Sequence, residues 1–192
     1  MPPDPVLQIA IKNMVCPRCI DTVKRITVSA GLVPREVKLG EIRIDSTATT
    51  AQLDSFNKQL RENGFEIVES KKARQINQIK TLIIKRIHYP QEHSDLKLSA
   101  YLSQNLNSEY SRISKLFSSM EGITIERFAT LQRLEKAKEL LVYDQLTVSE
   151  IADQLDYSSP AHLSAQFKRE TAMAPSEFRE LRNPGRKSLD SL

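Results

Sequence analysis

The chain has 192 residues, 40% hydrophobic and 27% charged, with a net charge of +4; this ordinary balance excludes a disordered chain or a fibre and leaves room for two small domains. No run of about 18 apolar residues occurs, and MPPDPVLQIAIKNM lacks a basic start followed by an apolar stretch, so neither a membrane anchor nor a secretory leader is expected and a cytoplasmic location is. The positive excess falls after residue 70, where 19 Lys and Arg stand against 15 Asp and Glu, while residues 1–70 carry 9 of each; a polyanionic partner would dock on the later part.

In chain order, Leu7, Ile9 and Ile11 alternate with polar residues, which predicts a half-buried strand. Ile20, Val23 and Ile26 then recur at three-residue steps from Pro17 to about Val28, one face of a short helix. Val37 with Leu39, and Ile42 with Ile44, alternate on either side of Gly40, predicting two strands joined by a tight turn. Thr50 is the expected N-cap of a second helix bearing Leu53, Phe56 and Leu60, which Asn63-Gly64 ends. Phe65 to Val68 supplies a fourth strand. The order strand, helix, strand, strand, helix, strand predicts a ferredoxin-like βαββαβ sandwich over residues 1–70.

Glu69 to Arg74 is polar and without periodicity, and is the expected domain boundary. Beyond it only helical patterns occur. Ile76, Ile79, Ile83 and Ile87 form a stripe that Tyr89-Pro90 ends, so residues 71–94 are expected to connect the domains. Short helices are expected at about Leu96 to Asn105 and Ser108 to Met120, then a long one from about Ile125 to Tyr143. Thr147 with Glu150 makes a capping box for Val148 to Leu155, and Ser159-Pro160 stand at N-cap and N1 of a helix running to about Arg169. Pro175 opens a last short helix, and residues 183–192 are expected to be a flexible tail. The second part is therefore all-α, and the chain as a whole α+β.

A short helix, a turn and a longer helix occur twice, on either side of the long helix. A helix-turn-helix needs a first helix packed across a second whose outer face fits a major groove about 12 Å wide. In the second instance Ile151, Ala152 and Leu155 are the expected buried face, Leu163 and Phe167 anchor the next helix, and Ala161, His162, Ala165, Gln166 and Arg169 point outward. In the first, Ile113 and Phe117 are the anchors, leaving Ser111, Arg112, Ser114, Lys115 and Ser118 outside. A linking helix of about 19 residues would span roughly 28 Å at about 1.5 Å per residue, close to the roughly 34 Å between successive major grooves.

The stretch LQRLEKAKELLVYDQLTVSEIADQLDYSSPAHLSAQFKRETAMAPSEFR closely resembles the signature of the AraC/XylS transcription regulators. The arginine-led linking helix, the Ile-Ala before the turn, the Phe-Lys pair and the late proline and aromatic all match, over about residues 95–182. Asp156 and Ala172 stand where that family usually has glycine. The resemblance implies double-stranded DNA as partner, with RNA polymerase as a further one. It places base reading on Ser111, Ser114 and Lys115 in one recognition helix and on Ala161, His162, Ala165 and Gln166 in the other. The second helix offers no Arg or Lys among these positions, so Gln166 is its best base reader.

Cys16 and Cys19, the only cysteines, lie at the first strand-to-helix turn in Met14-Val15-Cys16-Pro17-Arg18-Cys19. Helix-start N–H groups and Arg18 favour thiolates there. Two thiolates without histidine suit Cu(I) or another soft ion better than four-coordinate zinc; a reversible disulfide and an inert docking module are the competing readings. The MxCxxC pattern and strand order resemble heavy-metal-associated domains over about residues 6–68, with Asn13 where that family has glycine. That resemblance makes Cys16 and Cys19 the ligands and Met14 a buried prop. His88 and His93 are expected to be surface or helix-end residues. There is no P-loop, nucleotide-binding glycine fingerprint, GxSxG or HExxH, so an enzyme is not expected. The competing function is a copper-trafficking or thiol-redox protein whose helical tail docks a protein partner.

Overall fold

The computed structural model describes residues 6–89, 96–143 and 145–181; His93 and the tail at 183–192 lie outside them. The chain divides into two compact units, Met1–Leu82 with Lys97–Met120, and Ile83–Leu96 with Glu121–Leu192.

The first unit opens with β1 (Val6–Lys12), α1 (Pro17–Ser29), β2 (Pro34–Lys38), β3 (Glu41–Asp45), α2 (Thr50–Glu62) and β4 (Glu66–Ile67). The strands form one antiparallel sheet in the order β2-β3-β1-β4. Lys38 faces Glu41, so Leu39-Gly40 is the two-residue turn, with Gly40 at φ +81°. Period-two burial places Ile9, Ile11, Ile42 and Ile44 inward, against Val23, Phe56 and Leu60 of the two helices. Thr49, not Thr50, caps α2: its hydroxyl accepts from the Gln52 N–H while the Gln52 side chain accepts from the Thr49 N–H, a reciprocal pair that Thr50 has no residue placed to complete.

α3 (Lys71–His88) begins inside the expected boundary. Glu69 to Arg74 shows no apolar period because the first turn of α3 is solvated, yet from Lys71 it is helical, with Ser70 Oγ accepting from the Ala73 N–H at 3.1 Å. Asn77 lies on this helix with 9% of its surface exposed, and its Nδ2 donates to the Ile11 and Gly40 carbonyls, each at 3.1 Å. α4 (Leu98–Leu106) and α5 (Tyr110–Glu121) complete the first unit. α4 starts two residues later than expected, because Lys97 is its N-cap and Leu96 is exposed.

The second unit holds the end of α3, then α6 (Ile125–Tyr143), α7 (Val148–Gln154), α8 (Pro160–Thr171) and α9 (Pro175–Glu180). Leu134, Ala137 and Leu141 of α6 share a core with Ile151, Leu163, Phe167 and Phe178, and Ile87 packs at its margin. Phe167 and Phe178 meet edge to face at 5.2 Å. His88 is not a surface residue. It ends α3 but is buried, its Nε2 3.1 Å from Oε1 of the fully buried Gln132.

Candidate nucleic-acid interface

The two short-helix pairs turn by the same backbone device. Asn107 after α4 and Asp156 after α7 both adopt left-handed backbone, at φ +45° and +57°. The next residue then donates five residues back: Ser108 to the Ser103 carbonyl at 3.2 Å, Tyr157 to the Ala152 carbonyl at 2.9 Å. The short polar side chains of Asn and Asp are the non-glycine residues best suited to this conformation, which costs about 1 kcal/mol or more elsewhere. The partner helices end alike, in left-handed Gly122 after α5 and Ala172 after α8.

Ahead of α7, Thr147 and Glu150 form the expected capping box, with Glu150 Oε2 2.7 Å from the Thr147 N and the Thr147 hydroxyl accepting from Glu150 N at 3.2 Å. These bonds hold the Glu150 carboxyl below its usual range. Ser159 caps α8 by accepting from the His162 N–H at 3.1 Å, with Pro160 at the first helical position. In both units the anchors are buried, Ile113 and Phe117 in one, Leu163 and Phe167 in the other.

On α5, Ser111, Arg112 and Lys115 are exposed and Ser114 and Ser118 half-buried. On α8, Ala161, His162, Ala165 and Arg169 are exposed and Gln166 half-buried. The His162 ring is held by two turn residues: Ser158 Oγ lies 3.0 Å from Nδ1, and Tyr157 meets it edge to face at 5.4 Å. Burial pushes the Tyr157 phenol upward.

One contact was invisible in the sequence. Arg127 near the start of α6 grips Glu170 near the end of α8 through two parallel bonds, Nη1 to Oε1 at 2.5 Å and Nη2 to Oε2 at 2.9 Å. This pair holds the Glu170 carboxyl low. The residues are 43 apart, and no local period marks a pairing of that separation.

At the other candidate site, Cys16 is the N-cap of α1 and Cys19 sits in its first turn, both half-buried and free, with their sulfurs 3.2 Å apart. Asn13 takes left-handed backbone at φ +70° and donates from Nδ2 to the Gly64 carbonyl at 2.9 Å. Met14 is buried beside them. Burial pushes the Cys19 thiol up, which opposes the thiolate expected from a helix start. Among the described residues no group of three or more His, Cys, Asp or Glu could hold a metal ion, and the donor set at this turn is the two thiols. Among them, too, no helix is long and apolar enough to cross a membrane.

Residues 102–181 match the family described as "Helix-turn-helix domain". An uncharacterized HTH-type transcriptional regulator of Staphylococcus aureus is 36% identical over 87 residues, 45% of this chain but 12% of the relative. The HTH-type transcriptional activator RhaR of Salmonella dublin is 33% identical over 90 residues, 47% of this chain and 32% of RhaR. The chain thus spans under a third of the length of these relatives. The solved C-terminal domain of AraT, a response regulator from Geobacillus stearothermophilus, is 27% identical, with a TM-score of 0.47 over 57% of this chain and 87% of that one. Residues 102–181 of this chain are thus similar to helix-turn-helix domains found in transcriptional regulators.

Proposed function

We propose that the protein is a DNA-binding regulator of transcription, not an enzyme, that sets α5 and α8 into the major grooves of double-stranded DNA. The supporting observation is the paired turn: two helix pairs with a left-handed residue at the same place, Asn107 and Asp156, and the same five-back bond, each followed by buried anchors and a largely exposed outer face. Ser111, Arg112, Ser114 and Lys115 are the base and phosphate contacts of α5, and Ala161, His162, Ala165, Gln166 and Arg169 those of α8. We assign residues 1–70 to a ferredoxin-like, heavy-metal-associated-type domain, 71–94 to a connection and 95–182 to the DNA-binding region. The strand order β2-β3-β1-β4 supports the first assignment.

Selection of bound sequences from random duplex DNA tests the reading. Lys115→Ala and Gln166→Ala should each weaken binding to the selected sequence by about 1–3 kcal/mol where a base contact is lost. Unchanged affinity in both variants takes these helices out of the groove.

The cysteine pair adds a finer proposal, that Cys16 and Cys19 hold Cu(I) or another soft ion and thereby modulate DNA affinity. The adjacent free thiols support it. The wild type should take up about one Cu(I) per chain, and Cys16→Ser/Cys19→Ser none. A modulator must change DNA affinity when it binds, and DNA must change metal affinity by the same factor. Equal DNA affinity with and without bound Cu(I) leaves the pair a passive site.

A further inference from the structure

The first turn of α3 carries Lys71, Lys72 and Arg74, all exposed, and no acidic residue. Cations are disfavoured there, because the N-terminal end of a helix is the positive end of its dipole. Ser70 caps the turn by a neutral hydroxyl bond, and among the described residues the three side chains make no ion pair. Three unpaired positive charges kept where the backbone repels them point to an external anion.

Their position says which anion. Lys71 and Lys72 stand four and three residues before Gln75, and Arg74 stands four before Gln78, so each shares a helix face with the glutamine one turn on. Gln75 and Gln78 line a narrow cleft, about 60 Å³, together with Ser108, Arg112 and Leu116 of the first helix-turn-helix. All of these residues belong to one compact unit. Exposed Arg112 and Lys115 continue the positive strip along α5. Glu69 and Glu109 are the acidic neighbours in sequence of the two basic groups, which leaves five cations to two carboxylates. The exposed residues of this part of α3, Lys71, Lys72, Arg74, Gln75 and Gln78, are all polar. With no apolar side chain interleaved among them, the strip has nothing to insert into a lipid surface.

We propose that Lys71, Lys72 and Arg74 bind backbone phosphates of the duplex that α5 enters, a third contact segment outside both recognition helices. This rests on the reading of α5 as a DNA-binding helix. Lysine is a compact point charge on a flexible stem and carries no base code, so the segment adds affinity without sequence preference.

The test is a titration of the full chain on the selected duplex and on random duplex across a series of salt concentrations, for the wild type, K71A/K72A/R74A and K71R/K72R/R74K. Each phosphate contact contributes about 0.9 to the slope of log affinity against log salt. The alanine variant should therefore lose up to about 2.7 from that slope, weaken on both duplexes by the same factor and select the same sequence. The charge-preserving variant should keep the wild-type slope. Since all three residues are exposed and their charges oppose the helix dipole, the melting temperature should not fall. A wild-type slope in the alanine variant, or an altered selected sequence, overturns the proposal and leaves the function of α5 standing. A wild type that binds neither duplex overturns both.

Discussion

The two helix-turn-helix pairs share a turn and differ in nearly everything around it. The α7–α8 pair is fixed by local chemistry: a reciprocal capping box, a serine cap with proline at N1, and the Arg127–Glu170 fork. α8 exposes two cations, Lys168 and Arg169, both confined to its last turn, and only Arg169 is among its proposed contacts. The α4–α5 pair has no side-chain cap on α4, yet α5 exposes Arg112 and Lys115. One pair is locked by local side-chain bonds and keeps its cations at the end of α8; the other lacks such a cap and carries its cations along the face proposed to meet DNA. The contrast separates two properties that a single motif is usually asked to supply, geometry and charge.

The sharpest way to break this contrast is to remove an anchor from each pair. Phe117 and Phe167 are both fully buried, so Phe117→Ala and Phe167→Ala should each cost about 3–5 kcal/mol in denaturant unfolding. For Phe167 the cost includes its edge-to-face contact with Phe178. A native melting temperature in either variant would mean the wrong helical face is buried.

A smaller effect should follow at the cap. Thr147→Ala removes the hydroxyl that accepts from Glu150, costing about 1 kcal/mol and quickening amide exchange in α7 but not in α4. Equal quickening in both helices would erase the distinction between a locally fixed pair and one held from elsewhere.

Smallest is the response to acid. The Glu150 and Glu170 carboxyls are both held below the ordinary value of 4.5. Their stabilising contribution is complete above that value and disappears as the pH falls through their lowered ones. The Arg127–Glu170 pair is 44% and 14% exposed, so its share is at most about 1 kcal/mol. Protection of the α8 amides, taken relative to their intrinsic exchange rates, should fall below pH 4.5, and Arg127→Ala should flatten that response. A flat wild-type profile would show that the fork contributes nothing in solution.

Much of the fold was legible because it is written in short-range patterns. The bounds of α6, the Thr147–Glu150 box, the Ser159-Pro160 start and a tight turn at Gly40 all follow from residues within a few positions of one another, although Leu39 stands in that turn and not in the strand. The missed features join distant segments. His88 reads as a helix-end histidine until Gln132, 44 residues away, is seen against it. Asn77 reads as one more polar residue in a charged helix, because nothing near it announces a carbonyl 66 residues earlier. The start of α3 was missed for another reason: its first turn is solvated throughout and so shows no apolar period. The outward faces of α5 and α8 were readable as positions, since the spacing of the anchors fixes them. Which of those side chains carry affinity is a matter of partner chemistry that periodicity does not encode.

The hold of Asn77 on the sheet bears on how such proteins can be recombined. A Cβ at Gly40 would lie 2.7 Å from Thr81 Oγ1 and 3.2 Å from Asn77 Nδ2, so the hairpin tip and α3 are shaped to each other. A chimaera that splices a different N-terminal domain in at Ser70 would keep Asn77 and Thr81 while losing the carbonyls and the bare glycine they fit. Any graft made upstream of Thr81 must bring its own partner for that helix face.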